Sequence, residues 1–117
     1  SVADCAAALR AIEICDGPEG RERREHLRRM AARFRSGIAS LGWQSIPGPH
    51  PIVPLLVRDT PRTHRLVRHL FEQGVLAVGL TFPVVPRGDE TIRFQINAAH
   101  TAADVDHVLN ALENFKT

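Results

Sequence analysis

The stretch 91-TIRFQINAAHTAADVDHVLNALENF-115 carries a strand pattern followed directly by a helix pattern. Apolar and polar side chains alternate from Thr91 to Asn97, which is the period of a strand with one solvent-exposed face. Thr101 with Asp104 forms a carboxylate version of the capping box, after which apolar residues recur at helical spacing: Val105, Val108, Leu109, Leu112 and Phe115. A half-exposed strand beside a one-sided helix is typical of a sheet that helices cover on one face.

The same two patterns extend through the rest of the chain. They predict helices at Ala3–Ile14, Arg21–Leu41 and from an N-cap at Thr60 to Gly74, and strands at Trp43–Ile46, Ile52–Val57 and a buried Val75–Leu80. We therefore predict an α+β two-layer sandwich, with a small, mainly antiparallel sheet of three or four strands covered on one face by helices.

Composition limits the classes of function. The 117 residues are 44% apolar and 24% charged, which is typical of one globular domain. The net charge is only +2, and no apolar run approaches the roughly 20 residues of a membrane span, so we expect neither a nucleic-acid nor a membrane partner. Lys116 is the one lysine, and its place near the end of the chain is unsuited to a Schiff base on a rigid site.

The spacing of the cysteines and histidines predicts that the chain has neither a disulfide nor a metal site. Cys5 and Cys15 lie about 15 Å apart if both are on one helix, too far for a disulfide, which favours buried, reduced thiols and a cytoplasmic location. His64 and His69 are five residues apart and so do not share a helix face. Since neither cysteine has a zinc-type spacing to a histidine, the sequence predicts no metal site.

Seven arginines lie between Arg21 and Arg35 on the predicted second helix. A nucleic-acid or anionic-lipid surface is one interpretation. A solvated helix face is the favoured one, because the chain contains no tyrosine and few aromatic residues to stack on bases.

Arg93 and His100 are the candidate functional residues outside that helix. Arg93 projects from the polar side of its strand, where a guanidinium suits a carboxylate ligand, although spacing alone favours pairing with a neighbouring acid such as Glu90. His100 directly precedes the helix cap and either shapes that turn or takes a catalytic part.

Two segments, Phe82–Gly88 and Ile92–Thr101, resemble the C-terminal end of the α-oxoamine synthases, which are pyridoxal-phosphate-dependent acyltransferases. The likeness covers essentially the whole chain, although about twenty residues carry it specifically. Within the family, the Pro-Val-Val-Pro segment followed by Arg87 and Gly88 looks most like the 2-amino-3-ketobutyrate coenzyme A ligases.

The resemblance implies that residues 1–117 are the C-terminal small domain of a larger, homodimeric enzyme, with residues 1–15 as a helix connecting it to the large domain. It assigns Arg93 to the carboxylate of the amino-acid substrate, Thr81, Phe82 and Pro83 to the active-site wall, and His100 to a supporting position. The substrates would be an amino acid and an acyl-CoA. Pyridoxal phosphate and its Schiff-base lysine would belong to the large domain, so the isolated chain is expected to be inactive. A stand-alone interaction module and a truncated relic remain the alternatives.

Overall fold

The computed structural model describes residues 1–116 as four helices and one four-stranded sheet. The elements are α1 (Val2–Asp16), α2 (Pro18–Ser40), β1 (Gln44–Ser45), β2 (Ile52–Leu56), α3 (Thr60–Glu72), β3 (Val78–Leu80), β4 (Thr91–Gln95) and α4 (Ala102–Glu113). The strand order is β1-β2-β4-β3, and every neighbouring pair is antiparallel. The predicted α+β class with a small antiparallel sheet is therefore confirmed.

The core lies between one face of the sheet and the helices α2, α3 and α4. Alternate residues of β2 and β4 are buried there: Val53, Leu55, Ile92 and Phe94. Phe34 of α2 is 2% exposed, and its ring centroid lies 5.0 Å from that of Phe94. Because successive strand residues point to opposite faces, the remaining residues of these strands lie on the face away from the helices.

Capping groups set the starts of α3 and α4. At α4, the Thr101 hydroxyl accepts from the Asp104 N–H and the Asp104 carboxylate accepts from the Thr101 N–H, as the capping box predicts. At α3, the prediction of Thr60 as the N-cap is wrong, since Asp59 holds that position and accepts from the backbone N–H of Arg62. A carboxylate caps as well as a hydroxyl and adds a favourable charge at the positive end of the helix.

Helix α1 contradicts the expectation that the cysteines are buried. It contains no buried residue, and Cys5 and Cys15 are both free and exposed. The helix approaches the domain only at its junction with α2, where a Cβ on Gly20 would collide with the Cys15 carbonyl oxygen. Apolar side chains on both sides of α1 are thus left in solvent, including Leu9 at 59% and Ile12 at 66% exposure.

Strand β3 is shorter and more exposed than the buried strand predicted from residue 75. Val75 is buried, but its N–H donates to the Leu70 carbonyl and closes α3 instead of joining the sheet. Val78 is 58% exposed because β3 is an edge strand with helices on one side only. Gly79 lies on the side of β3 that α3 covers, since a Cβ there would lie 2.9 Å from Cγ2 of Val67 in α3.

Candidate functional site

The sheet face away from the helices presents one arginine among smaller side chains. Arg93 of β4 lies opposite Pro54 of β2 and Val78 of β3, so the three side chains share one row on that face. We call this surface the open face; its other members are Ile52, Leu56, Leu80, Thr91 and Gln95. Apolar neighbours on both adjacent strands surround a single positive charge there.

The guanidinium of Arg93 is exposed and has no hydrogen-bond or ion-pair partner within residues 1–116. The alternative pairing with Glu90 does not occur in the structure. Glu90 is only 2% exposed, and its carboxylate accepts from the Thr60 hydroxyl at 3.0 Å and from the Gly88 N–H at 3.0 Å. Arg93 is consequently available to an external anion.

Glu90 anchors the segment before β4, which carries Arg93. Its carbonyl oxygen accepts from the N–H groups of Val57 and Arg58, so backbone and side chain both tie it to neighbouring loops. Hydrogen bonding by its own N–H is the main cause that lowers the pKa of its carboxyl, burial opposes this, and the Gly88 N–H and Thr60 hydroxyl lower the pKa further. The ionised form is therefore the one that the fold favours.

The buried carboxylate makes stability depend on pH. Because the folded-state pKa of Glu90 lies below its ordinary value of 4.5, its contribution is fully present above that pH and is lost as the pH falls through the folded pKa. Glu90→Gln should lower the melting temperature by several degrees at pH 7, and the deficit should shrink towards pH 3. Asp89→Asn, at the exposed neighbouring residue, is the matched control in thermal scans at both pH values. An equal deficit at pH 7 and pH 3 would contradict the electrostatic explanation.

Thr81, Phe82 and Pro83 lie in the loop that follows β3. The Thr81 carbonyl accepts from the N–H groups of Val84 and Val85, which closes the loop into a turn, and the Phe82–Pro83 peptide is cis. Arg87 packs over the Phe82 ring at 4.6 Å from its centroid. Since Arg93 pairs with Val78, three residues before Thr81, the loop begins about 10 Å along the strand from the arginine.

His100 lies in the turn after β4, at the other end of that strand from the Thr81 loop. Its Nδ1 accepts from the Asn97 N–H at 3.0 Å, and its carbonyl oxygen lies 2.6 Å from Nε2 of His26. It lines a cavity of about 400 Å³ together with Gln95 of the open face. The structure gives His100 contacts that shape the entry to α4 and does not bring it together with Thr81, Phe82 and Pro83.

Four of the seven arginine side chains on α2 make hydrogen bonds to other groups of the domain. Arg33 makes two hydrogen bonds of 2.8 Å to the Asp106 carboxylate of α4, which raises the pKa of the arginine and lowers that of the aspartate. Arg35 donates to the carbonyl oxygens of Ile46 and His50. These contacts tie α2 to α4 and to the loop before β2.

Other chemistry-bearing groups are sparse in the part of the chain that the structure describes. Residues 1–116 contain no group of three or more His, Cys, Asp or Glu side chains placed to hold a metal ion. None of the helices described is long and apolar enough to cross a membrane. Lys116 lies three residues after the end of α4, and its side chain is exposed.

Sequence reasoning missed the neighbours of Arg93. Pro54 and Val78 flank it on the open face, and Gln95 lies two residues along the same side of β4. Alternation within β4 predicts the position of Gln95, but the cross-strand neighbours depend on the register between strands that are distant in sequence.

A family model described as aminotransferase class I and II matches residues 2–112 of the chain. The 8-amino-7-oxononanoate synthase of Stutzerimonas stutzeri (strain A1501) is 42% identical over 106 residues, which are 91% of this chain and 26% of that protein. The synthase of the same name from Marinobacter nauticus is 38% identical over 117 residues, which are 100% of this chain and 28% of that protein. The chain thus spans about a quarter of the length of these relatives.

Solved structures show the same fold at lower sequence identity. A serine palmitoyltransferase from Sphingomonas wittichii superposes with a TM-score of 0.74 at 22% identity, over 78% of this chain and 23% of that one. An 8-amino-7-oxononanoate synthase from Francisella tularensis superposes with a TM-score of 0.75 at 19% identity, over 92% of this chain and 30% of that one. The two-layer arrangement of helices and sheet is therefore a known one.

Proposed function

Because the chain belongs to the aminotransferase class I and II family, we propose that it is the C-terminal small domain of a pyridoxal-phosphate-dependent acyltransferase in which Arg93 binds the carboxylate of an amino-acid substrate. The resemblance to the α-oxoamine synthases is confirmed, since relatives 38% and 42% identical are 8-amino-7-oxononanoate synthases. The reaction proposed for the full-length enzyme is the condensation of a small amino acid with an acyl-CoA. Residues 1–15 would then connect this domain to the large one.

The observation that carries the proposal is the unpartnered guanidinium of Arg93 on the open face. A planar guanidinium binds a carboxylate through two parallel hydrogen bonds, and a rigid strand fixes the direction of those bonds. The nearest acid in sequence, Glu90, is occupied by Thr60 and Gly88 and does not compete for it. Arg93 would hold the substrate by its carboxylate and thereby orient the bonds at Cα, which is a positioning contribution to catalysis.

Pyridoxal phosphate, when bound, supplies an electron sink for the carbanion of the amino acid. The residues described here do not by themselves fit that cofactor. Lys116, the one lysine of the chain, follows α4, whereas Arg93 lies on the face away from the helices. We therefore assign the groups that hold the cofactor to the large domain of the full-length enzyme, and to this chain only the carboxylate-binding wall formed by Arg93 with Thr81, Phe82 and Pro83.

Finer features of the proposal rest on the resemblance alone. The segment Pro83–Gly88 still predicts the 2-amino-3-ketobutyrate coenzyme A ligase subgroup, although both relatives described above are 8-amino-7-oxononanoate synthases. We expect the full-length enzyme to be a homodimer in the cytoplasm.

The test is to express the full-length polypeptide, whose mass should far exceed that of 117 residues, and to load it with pyridoxal phosphate. Coenzyme A release should be measured with a thiol reagent for glycine, alanine and serine, each with short-chain and long-chain acyl-CoA. We expect release with at least one pair and none when the amino acid is omitted. Cofactor binding without release for any pair would refute the proposed reaction.

A further inference from the structure

A second cavity, of about 450 Å³, lies away from the open-face arginine. It is bordered by the ends of α2 and α4, by the start of α3 and by the segments around β1 and the end of β2. Trp43, Arg58, Arg62 and Glu113 line it, whereas Arg93 and the loop from Thr81 to Pro83 do not. Its volume falls within the range of small-molecule sites.

Arg62 lines this cavity, and one of its donors is unsatisfied. Its guanidinium carbon lies 4.7 Å from the centroid of the Trp43 ring, so stacking holds the side chain in place. Its Nε is buried without a hydrogen-bond partner in the part of the chain that the structure describes. A buried donor without a partner is unfavourable, and such groups in folded proteins call for a specific explanation.

Arg58 occupies an unfavourable backbone conformation at the same cavity. Its φ is +64°, in the left-handed region that glycine adopts readily and a long side chain does not. The backbone there is held by its N–H, which donates to the Glu90 carbonyl oxygen at 3.0 Å. Strained residues of this kind are concentrated at functional sites, so the presence of arginine rather than glycine at position 58 needs an explanation.

We propose that Arg58 and Arg62 form a binding site for the phosphate group of a small-molecule ligand, with Trp43 as one wall. Two guanidiniums bordering one cavity suit an anion with close to two negative charges and several acceptor oxygens. Two acids are near: Glu113 lines the cavity and reduces the net positive charge, while the Asp59 carboxylate accepts from the Arg62 backbone N–H. The two arginines have no ion-pair partner within residues 1–116.

Trp43 is the one tryptophan of the chain, so its indole N–H gives a single reporter resonance in a nitrogen-15 NMR spectrum. The 117-residue chain should be titrated at pH 7 and constant ionic strength with inorganic phosphate, with acetate and with sodium chloride. We expect a saturable shift with phosphate and at least tenfold weaker binding of acetate. Equal or tighter binding of acetate would show a carboxylate site instead, and a shift that does not saturate, or that chloride reproduces, would overturn the proposal.

Three variants distinguish phosphate binding at a specific site from attraction by the general surface charge. Arg62→Gln and Arg58→Gly should each weaken phosphate binding at least tenfold. Arg58→Gly should do so with an unchanged or raised melting temperature, because glycine relieves the strain at φ +64°. Arg65→Gln removes an exposed arginine of α3 that does not line the cavity, and it should bind phosphate as the unmodified protein does. Wild-type affinity in Arg58→Gly, or an equal loss in Arg65→Gln, would refute the site.

Discussion

In the full-length acyltransferase that we propose, Arg93→Ala should lower kcat/KM for the amino-acid substrate at least about a hundredfold, equivalent to roughly 3 kcal/mol. The reason is that the exposed guanidinium has no other partner among the described residues, so its removal would delete both hydrogen bonds that we propose it makes to the substrate carboxylate. The measurement is steady-state kinetics with the amino acid varied at saturating acyl-CoA. The KM for acyl-CoA should change little, because the proposed contact of Arg93 is with the carboxylate of the amino acid and not with the acyl-CoA.

Two further variants separate the effect of the planar pair of donors in Arg93 from the effect of its charge. Arg93→Lys keeps the charge but loses the planar pair of donors, so we expect an intermediate loss of about tenfold. Arg28→Ala removes an exposed arginine from α2, on the helix side of the domain, and should leave the kinetics unchanged. Unaltered kcat/KM in Arg93→Ala would remove this residue from the substrate site, whereas an equal loss in Arg28→Ala would indicate an effect of overall charge.

The elements around β4 could be predicted because each has a local cause. Alternation from Thr91 to Asn97 specifies a strand with one buried face, and the structure has a strand at Thr91–Gln95 with Ile92 and Phe94 inward. The capping box at Thr101 specifies the start of α4 in the same way. Local hydrogen bonds and periodicity act over a few residues, so the sequence displays them directly.

The contact of Glu90 with Thr60 and the exposure of the cysteines on α1 could not be predicted, because both depend on tertiary packing. Glu90 lies three residues from Arg93, yet its carboxylate binds Thr60, thirty residues away. Helix α1 is rich in apolar residues, which favoured buried cysteines, but the domain offers no surface that covers it. The availability of Arg93 thus depends on tertiary contacts of Glu90 that no local pattern reveals.

Phe34→Ala should destabilise the domain by about 3–5 kcal/mol, which is a large part of the 5–15 kcal/mol that is typical of folded domains. Phe34 is 2% exposed and contacts Phe94, so truncation would leave a cavity between α2 and β4. Urea unfolding of the 117-residue chain, followed by circular dichroism, measures the change in the free energy of unfolding.

Phe34→Leu is the matched control, since it keeps most of the volume and should cost clearly less than alanine. Arg28→Ala, on the solvent side of the same helix, should change the free energy of unfolding by less than about 0.5 kcal/mol. A loss below 1 kcal/mol in Phe34→Ala would mean that α2 does not pack on β4. The helix would then not cover Ile92 and Phe94, the strand residues on either side of Arg93. The guanidinium would lose the rigid support on which its proposed carboxylate-binding role depends.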